Sequence, residues 1–452
     1  LKNLYIPLLS WLKIKREFFI YLLKLLIVNF TMKVKKLSLF FGVIIFSLLS
    51  INTNHFIYSG IPSPKSSDTG VSGYTITGSI TYQVEINFTL THNNLNGFLV
   101  SSDYNFKFAR LNNRHPNSSL THYTPPYQES LLLYHKIIGS DYVPYFSQDK
   151  FNNTYDIFNA TLSPSQSIIL NQKYNITLNA ISFPNIEPSS IGIYDTSDDI
   201  FDLYCNKSEI YYEKNDPVLN ATSFSIVDPS DNPVEKAQKI YNWVSSYLTY
   251  DGTLPGQEKG ALWALNNSKG DCSEYSSLMI TLLRCQGIPA RKVTGYVFSN
   301  NPNIQPTLGE QKTFYISRTG GSSSTNFLGH AWVEYYVPNI GWIACDPTWN
   351  NGANYFNRID SLRFASNIGA WFTIPLLPEI SEFPNPCIVY DTDADFNYDY
   401  NVVITVIESS KLPLDPLTII ITVGTIAAIV SVIILIIVIS NKRKKRAKEG
   451  YY

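Results

Sequence analysis

One short segment near the middle of the chain carries a helix start, an apolar stripe and a helix end. Asp271 is suited to cap a helix, and Glu274 is placed to complete a capping box three residues later. Apolar residues then recur at helical spacing at Tyr275, Leu278, Met279, Leu282 and Leu283. Gly287 and Pro289 end the pattern. The segment predicts a buried helix that fixes Cys272 in its first turn.

A thiol in this position is suited to nucleophilic chemistry. The positive end of the helix dipole favours the thiolate, whereas the carboxylates of Asp271 and Glu274 oppose it, so an imidazolium partner is expected. A cysteine is more often a small buried hydrophobe than a nucleophile. The polar neighbours of Cys272 favour the reactive interpretation, and Cys285, at the far end of the same helix, is interpreted as a core thiol.

Two later motifs supply the other groups that acyl transfer needs. In an extended strand, alternate residues share one face, which groups His330, Trp332 and Glu334, and in the next strand Trp342, Ala344 and Asp346. Neighbouring strands can therefore hold His330 and Asp346 side by side, with Cys272 delivered by the helix. A thiol, an imidazole and a carboxylate in this arrangement predict a catalytic triad.

These motifs resemble the transglutaminase-like superfamily over roughly residues 231–351. The resemblance rests on five motifs: Gly-Asp-Cys272, Leu-Leu-Arg-Cys-Gln-Gly-Ile-Pro-Ala-Arg291, Val293-Thr-Gly-Tyr296, His330-x-Trp-x-Glu and Asp346-Pro-Thr. It implies a papain-like α+β core in which Cys272 attacks an amide carbonyl, His330 shuttles the proton and Asp346 orients His330. No cofactor and no metal are expected, and the implied substrate is a protein or peptide.

The chain departs from the cross-linking members of that superfamily. Ser273 follows the nucleophile where the animal enzymes carry Trp, and the chain has no room for their C-terminal barrels. Amide or peptide hydrolysis is therefore favoured over cross-linking, with transfer to an amine kept open. Tyr250 is a candidate oxyanion donor beside the backbone N–H of Cys272. The alternative function is a non-catalytic surface adhesion or scaffold protein that keeps the fold.

The rest of the chain is dominated by strand patterns. Apolar and polar residues alternate with period two in three segments before residue 228, at 74–90, 155–162 and 174–181. We predict an N-terminal antiparallel β-sandwich at 71–228, followed by the catalytic domain at 231–375. Strand patterns return at 376–412, which predicts a short β segment or a stalk. The expected fold class is α+β.

The N-terminal region resembles a targeting segment. Met32 is a plausible start, because Lys33–Lys36 and the apolar run Leu37–Ile51 match the basic and apolar regions of a secretory signal. Residues 32–55 are therefore predicted to be a signal peptide or an N-terminal anchor. Residues 1–31 are interpreted as untranslated upstream sequence and are excluded from the fold prediction.

A second apolar run precedes the C-terminal tail. The uncharged residues 417–440 are long enough to cross a hydrocarbon core of ~30 Å, and a cluster of Lys and Arg follows within 441–452. Basic clusters stay on the cytoplasmic side, so the catalytic domain is expected outside the cell, held by one transmembrane helix. The formal net charge of −1 gives no reason to expect nucleic acid as a partner.

Three minor signals accompany this prediction. Glycosylation sequons support an extracellular position and occur at Asn87, Asn117, Asn152, Asn159, Asn175, Asn206, Asn220 and Asn266. In an oxidising compartment Cys205 and Cys387 could form a disulfide, although five cysteines leave the pairing open. The acidic run Asp391–Asp399 lacks the glycine and glutamate of an EF-hand, so a solvated loop is favoured over a calcium site.

Overall fold

The computed structural model describes residues 73–411 except 94–99, 115–122, 140–144, 255–257, 302, 350–353, 370–385 and 392–393, together with Ser431 and residues 438–439. The predicted signal or anchor at 32–55, the basic tail at 441–452 and nearly all of 417–440 therefore lie outside the described residues. Within the described part of the chain, no helix is both long and apolar enough to cross a membrane.

The largest sheet is antiparallel and gathers strands from the whole described region. Its strands are β1 (Thr75–His92), β3 (Gln128–Ile138), β6 (Ser167–Ser182), β10 (Gln311–Thr319), β11 (Ser322–Thr325), β14 (Arg358–Ile359) and β17 (Phe396–Lys411). They follow the order β11-β10-β17-β1-β6-β14, and β3 also pairs with β6. The three strand segments predicted before residue 228 correspond to β1, β5 (Thr154–Leu162) and β6, which confirms the period-two pattern there.

A second antiparallel sheet packs on this one through aromatic side chains. Its strands are β2 (Ser102–Ala109), β4 (Tyr145–Gln148), β5 and β16 (Cys387–Tyr390), in the order β16-β2-β5-β4. Residues of both sheets share one core, for example Phe88 of β1, Phe106 of β2, Phe158 of β5 and Tyr400 of β17. The two sheets thus bury alternate side chains between them, as in a sandwich.

The sandwich contains strands from outside the predicted segment 71–228. Strand β17 pairs with β1 from Gly78 to His92, with Val84 opposite Ile404, and β10 pairs with the other edge of β17. A strand has backbone donors and acceptors on both edges, and β1 uses one edge for β6 and the other for β17. Segment 376–412 therefore contributes a central strand, and the predicted boundaries near 228 and 376 do not separate the sheets.

Helices begin earlier than the sequence prediction placed them. The helices are α1 (Asp199–Tyr204), α2 (Pro217–Ile226), α3 (Pro233–Tyr247), α4 (Ala261–Asn267) and α5 (Cys272–Cys285), with a 3-10 turn at Pro188–Ser190. The strand prediction up to residue 228 is wrong for α1 and α2. Asp198 and Asp216 each cap a helix with the side chain, and Pro217 stands at the first helical position. The predicted helices after 231 and 271 are confirmed as α3 and α5.

A third antiparallel sheet forms the platform for the helices. Its strands are β9 (Ala290–Val297), β12 (Gly329–Val337), β13 (Gly341–Cys345) and β15 (Arg363–Ile368), in the order β13-β12-β9-β15. Two short parallel strands, β7 (Thr249–Tyr250) and β8 (Lys269–Gly270), lie just before α5. Buried residues of α5 such as Leu278 and Leu282 share a core with Val293 of β9 and Val333 of β12. This packing fixes α5 against the strand that carries His330.

Candidate active site

The first turn of α5 presents Cys272 on a well-fixed helix end. The Asp271 carboxylate accepts a hydrogen bond from the Ser273 N–H at 2.7 Å, and the Glu274 carboxylate accepts one from the Asp271 N–H at 3.0 Å. This is the predicted capping box. Cys272 is partly exposed, whereas the helix is buried from Glu274 to Arg284. Cys272 is therefore partly open to solvent while the helix that carries it is packed into the core.

His330 and Asp346 meet as the strand pattern predicts. His330 lies near the start of β12, opposite Gly295 of β9, and Asp346 directly follows β13. The His330 Nε2 atom lies 2.6 Å from the Asp346 Oδ2 atom. The Cys272 side chain also acts on the His330 ring and raises its pKa, both as a hydrogen-bond partner and through its charge. The structure thus brings Cys272, His330 and Asp346 together in one contiguous group.

Electrostatics favour the protonated form of His330. Burial by itself lowers the pKa of His330, but the Asp346 carboxylate and the hydrogen-bonded Cys272 outweigh it and raise the pKa to about 9. For the Asp346 carboxyl group burial has the opposite effect and by itself raises the pKa. The charges of His330 and Arg363 outweigh burial and hold the pKa of Asp346 well below its usual range. At neutral pH the group therefore contains an imidazolium bonded to a carboxylate. This protonated form of His330 can donate a proton to a leaving group.

Three further residues around Asp346 were missed by the sequence analysis. The Arg363 Nη2 atom lies 2.9 Å from the Asp346 Oδ2 atom, and the Thr348 N–H donates to Oδ1 at 3.0 Å. The Trp349 ring packs 5.5 Å from the His330 ring, between centroids. Thr348 is the last residue of the Asp-Pro-Thr motif and Trp349 follows it directly, whereas Arg363 lies on β15 and only the sheet order brings it here.

Gly295 explains why β15 can come so close to His330. A Cβ atom at Gly295 would lie 1.8 Å from the carbonyl oxygen of Phe364. No side chain fits at that distance, so this strand position requires glycine. The register also shifts between Ala365 and Asn367, next to the residue that pairs with Gly295. The close approach of β15 carries Arg363 to the Asp346 side chain.

Asp271 and Tyr250, two titratable residues near Cys272, both have raised pKa values. Burial, then the neighbouring Glu274 carboxylate, raises the pKa of Asp271 to about 6, so this side chain gains a proton in weakly acidic solution. Tyr250 lies on β7, which pairs with β8 immediately before the helix cap, and its side chain remains about half exposed. Burial followed by the charge of Cys272 raises the pKa of Tyr250 to about 12, which keeps its hydroxyl a donor at neutral pH.

Glu334 serves the fold rather than the thiol. Its carboxylate is fully buried and is held by two guanidinium groups, those of Arg114 and Arg291, the latter with Nε at 2.8 Å. Arg291 lies opposite Glu334 on β9, whereas Arg114 comes from the segment between β2 and β3. The triplet therefore ties the platform sheet to the β-sandwich.

The remaining cysteines are free thiols and lie outside the group around His330. Cys205 contacts the backbone carbonyl of Arg284, whereas Cys387 pairs with Lys107 in a sandwich sheet, so the suggested disulfide between Cys205 and Cys387 is not formed. Cys285 was expected in the core but is partly exposed, because it ends α5 where the chain turns away. Burial raises the pKa of Cys285 to about 11.

Comparison with known proteins gives these contacts a family context. Residues 220–347 match the family model described as the transglutaminase-like superfamily. The chain contains a transglutaminase-like domain. Cys272, His330 and Asp346 all lie inside the matched range, as do helices α3 to α5 and the strands β9, β12 and β13.

Relatives match this transglutaminase-like domain over short stretches. A protein-glutamine gamma-glutamyltransferase of Pseudomonas aeruginosa is 38% identical over 81 residues, which are 18% of this chain and 10% of that protein. YebA of Bacillus subtilis, described as uncharacterized, is 29% identical over 136 residues, which are 29% of this chain and 17% of that protein. The chain therefore spans only a small part of the length of either relative.

One solved structure overlaps with most of the chain. It is an inferred cysteine protease from Cytophaga hutchinsonii, 14% identical, with 76% of this chain and 94% of that chain covered at a TM-score of 0.45. The periplasmic domain of TgpA from Pseudomonas aeruginosa is 17% identical and covers 62% of this chain and 90% of its own, at a TM-score of 0.29.

Proposed function

We propose that this protein is a cysteine-dependent amide or peptide-bond hydrolase or acyl transferase. The observation that supports the proposal most is the His330 ring, whose Nε2 atom lies 2.6 Å from the Asp346 carboxylate and whose pKa is raised by the neighbouring Cys272 side chain. A nucleophile, a base and a group that orients the base are the parts of a catalytic triad. The substrate would be a protein or peptide, as is typical of transglutaminase-like proteins.

The proposed reaction has two steps. The Cys272 thiolate attacks the carbonyl carbon of the amide, and its proton is held by His330. His330 then donates that proton to the leaving amine or ammonia as the C–N bond breaks, which leaves a thioester on Cys272. In the second step water or an amine attacks the thioester, His330 takes the proton of the attacking group, and the Cys272 thiolate is released. Asp346 keeps the ring oriented throughout.

The oxyanion of each step needs donors near Cys272. The backbone N–H of Cys272 is one proposed donor, because the first N–H groups of a helix have no partner within the helix. The Tyr250 hydroxyl is the second, since it remains protonated at neutral pH and its pKa responds to the charge of Cys272. Ser273 stands where animal cross-linking enzymes carry Trp, so hydrolysis is proposed ahead of transfer to an amine.

The reaction class can be tested with a defined peptide. The full chain, incubated with a glutamine-containing peptide with and without a primary amine, is expected to yield peptide fragments, a deamidated peptide or an amine adduct, each of which mass spectrometry distinguishes. The variant His330→Ala is expected to lose about 10²–10⁴-fold of the rate, because the proton shuttle is removed.

His135→Ala is the matched control for that experiment. His135 also lies near a buried carboxylate, with Nε2 3.5 Å from the Asp156 Oδ1 atom, but it belongs to the sandwich strand β3. Its loss should leave the product rate within a few-fold of the unmodified protein. Equal product rates for His330→Ala and the unmodified chain would refute the proposed triad.

We further propose that the enzyme acts at the cell surface, with residues 417–440 as its membrane anchor. The support comes from the uncharged sequence of that segment and the basic residues that follow it. The full chain should sediment with membranes, whereas a chain that ends before Leu417 should be released in soluble, active form. A tag near Gly70 should be accessible on intact cells. A protected tag would place the domain inside the cell and would contradict this proposal.

A further inference from the structure

The carboxylate of Asp346 is shared between two positively charged donors. His330 Nε2 lies 2.6 Å from Asp346 Oδ2, and Arg363 Nη2 lies 2.9 Å from the same oxygen. The other oxygen, Oδ1, accepts only the backbone N–H of Thr348 among the hydrogen bonds found in the described residues. One oxygen therefore serves both the proposed proton shuttle and a permanent cation.

Arg363 is held in place independently of Asp346. Its Nη1 atom is bonded to Asp360, and its guanidinium lies 4.1 Å from the Trp349 ring centroid and 4.5 Å from that of Tyr355. The Tyr355 hydroxyl in turn donates to Asp360 at 2.7 Å. The side chain of Arg363 is 1% exposed. A buried guanidinium with this many contacts cannot swing away when His330 gains or loses its proton.

Charged and titratable groups near His330 determine how strongly its ring holds a proton. Asp346 is hydrogen-bonded to the ring, and Cys272 acts on its pKa. Arg363 is hydrogen-bonded to Asp346, with Asp360 as its counter-charge. Asp271 caps the helix that begins at Cys272, and the charges of Cys272 and Asp271 both raise the pKa of Tyr250. An unshared, buried Asp346 carboxylate would stabilise the imidazolium more strongly than one already bonded to arginine, because a nearby cation opposes a second positive charge.

We propose that Arg363 is a positioning residue of the triad: it fixes the Asp346 carboxylate and limits how strongly that carboxylate holds the proton on His330. The proposal rests on the proposed function, since it assigns a role within the same triad. By weakening the hold of Asp346 on this proton, Arg363 helps His330 to release it to the leaving amine. A His330 bound to an unshared carboxylate would remain protonated for longer and would be a weaker general acid.

The test measures the reactivity of Cys272 and requires no substrate. Iodoacetate is negatively charged, so its reaction with the thiolate is assisted by a neighbouring imidazolium and slows as that imidazolium loses its proton. In the unmodified full chain, the rate of Cys272 alkylation, followed by peptide mapping, should fall on a limb near pH 9, where the pKa of His330 lies. In Arg363→Gln this limb should move up by roughly one pH unit, because a cation beside Asp346 is lost.

A second variant changes the same charges in the opposite direction. Asp360→Asn removes the negative charge that partly balances the guanidinium of Arg363. The positive charge of Arg363 then acts more strongly on Asp346, so the falling limb of the alkylation rate should move to lower pH. Arg363→Lys keeps the cation and should leave the limb near that of the unmodified chain. A purely structural role for Arg363 would lower the rate at every pH without moving the limb.

Arg284→Gln is the matched control. Arg284 is as buried as Arg363 and pairs with Glu209 at 2.8 Å, but it lies at the far end of α5. It should cost stability without moving the limb. An unmoved limb in both Arg363→Gln and Asp360→Asn would overturn the role of Arg363 while leaving the triad intact. If the unmodified protein has no descending limb at all, the proposed triad fails and this inference fails with it.

Discussion

Replacing Cys272 with alanine is expected to lower the rate of amide cleavage or acyl transfer by about 10⁴-fold or more, because the thioester can no longer form. The same change should have little effect on stability. Cys272 is partly exposed at the first turn of α5, and the capping box of Asp271 and Glu274 does not use its side chain. Product formation and the midpoint of urea unfolding, measured on the same preparation, check both parts of this expectation.

Cys285→Ala provides the comparison for that variant. Cys285 lies on the same helix, is also a partly exposed free thiol and contacts the Lys214 carbonyl instead of His330. It should keep nearly all activity and cost about 1 kcal/mol of packing. If Cys285→Ala were the inactive variant, the nucleophile assignment would be wrong. Full activity in both variants would exclude either thiol as the nucleophile, whereas no activity in the unmodified chain would favour the adhesion or scaffold alternative.

Replacing Glu334 with alanine is expected to lower the free energy of unfolding by about 3–5 kcal/mol, a large part of the stability of a domain. The change leaves Arg114 and Arg291 buried with no carboxylate between them, and an uncompensated buried charge is costly. Equilibrium unfolding in urea, with unchanged slope and a lowered midpoint, would report this loss.

An exposed ion pair gives the control for this measurement. The Glu85 carboxylate lies 2.8 Å from the Lys173 ammonium, and both side chains are more than a third exposed. Glu85→Ala should therefore cost less than about 1 kcal/mol. Similar losses in the two variants would mean that the guanidinium groups beside Glu334 find water or other partners when the carboxylate is removed.

The sequence predicted the helix that carries Cys272 because the signals for it are local. A cap at Asp271, a glutamate three residues on, an apolar stripe and a Gly-x-Pro ending all act within one short segment, and α5 begins and ends accordingly. The strand periodicity around His330 and Asp346 is equally local, and the two side chains meet as expected. The missed helices α1 and α2 also carried local signals, in the aspartates that cap them.

Only the tertiary structure decided which distant segments pair. Strand β17 lies beside β1 although more than 300 residues separate Val84 from Ile404, and nothing in either alternating pattern specifies its partner. Arg363 likewise reaches Asp346 only because Gly295 admits β15 to the platform sheet. The amino-acid sequence by itself determined the helix with the thiol and the strand with the imidazole, since both depend on near neighbours. Sheet order and the buried charges around Asp346 and Glu334 depend on long-range packing, which no local pattern encodes.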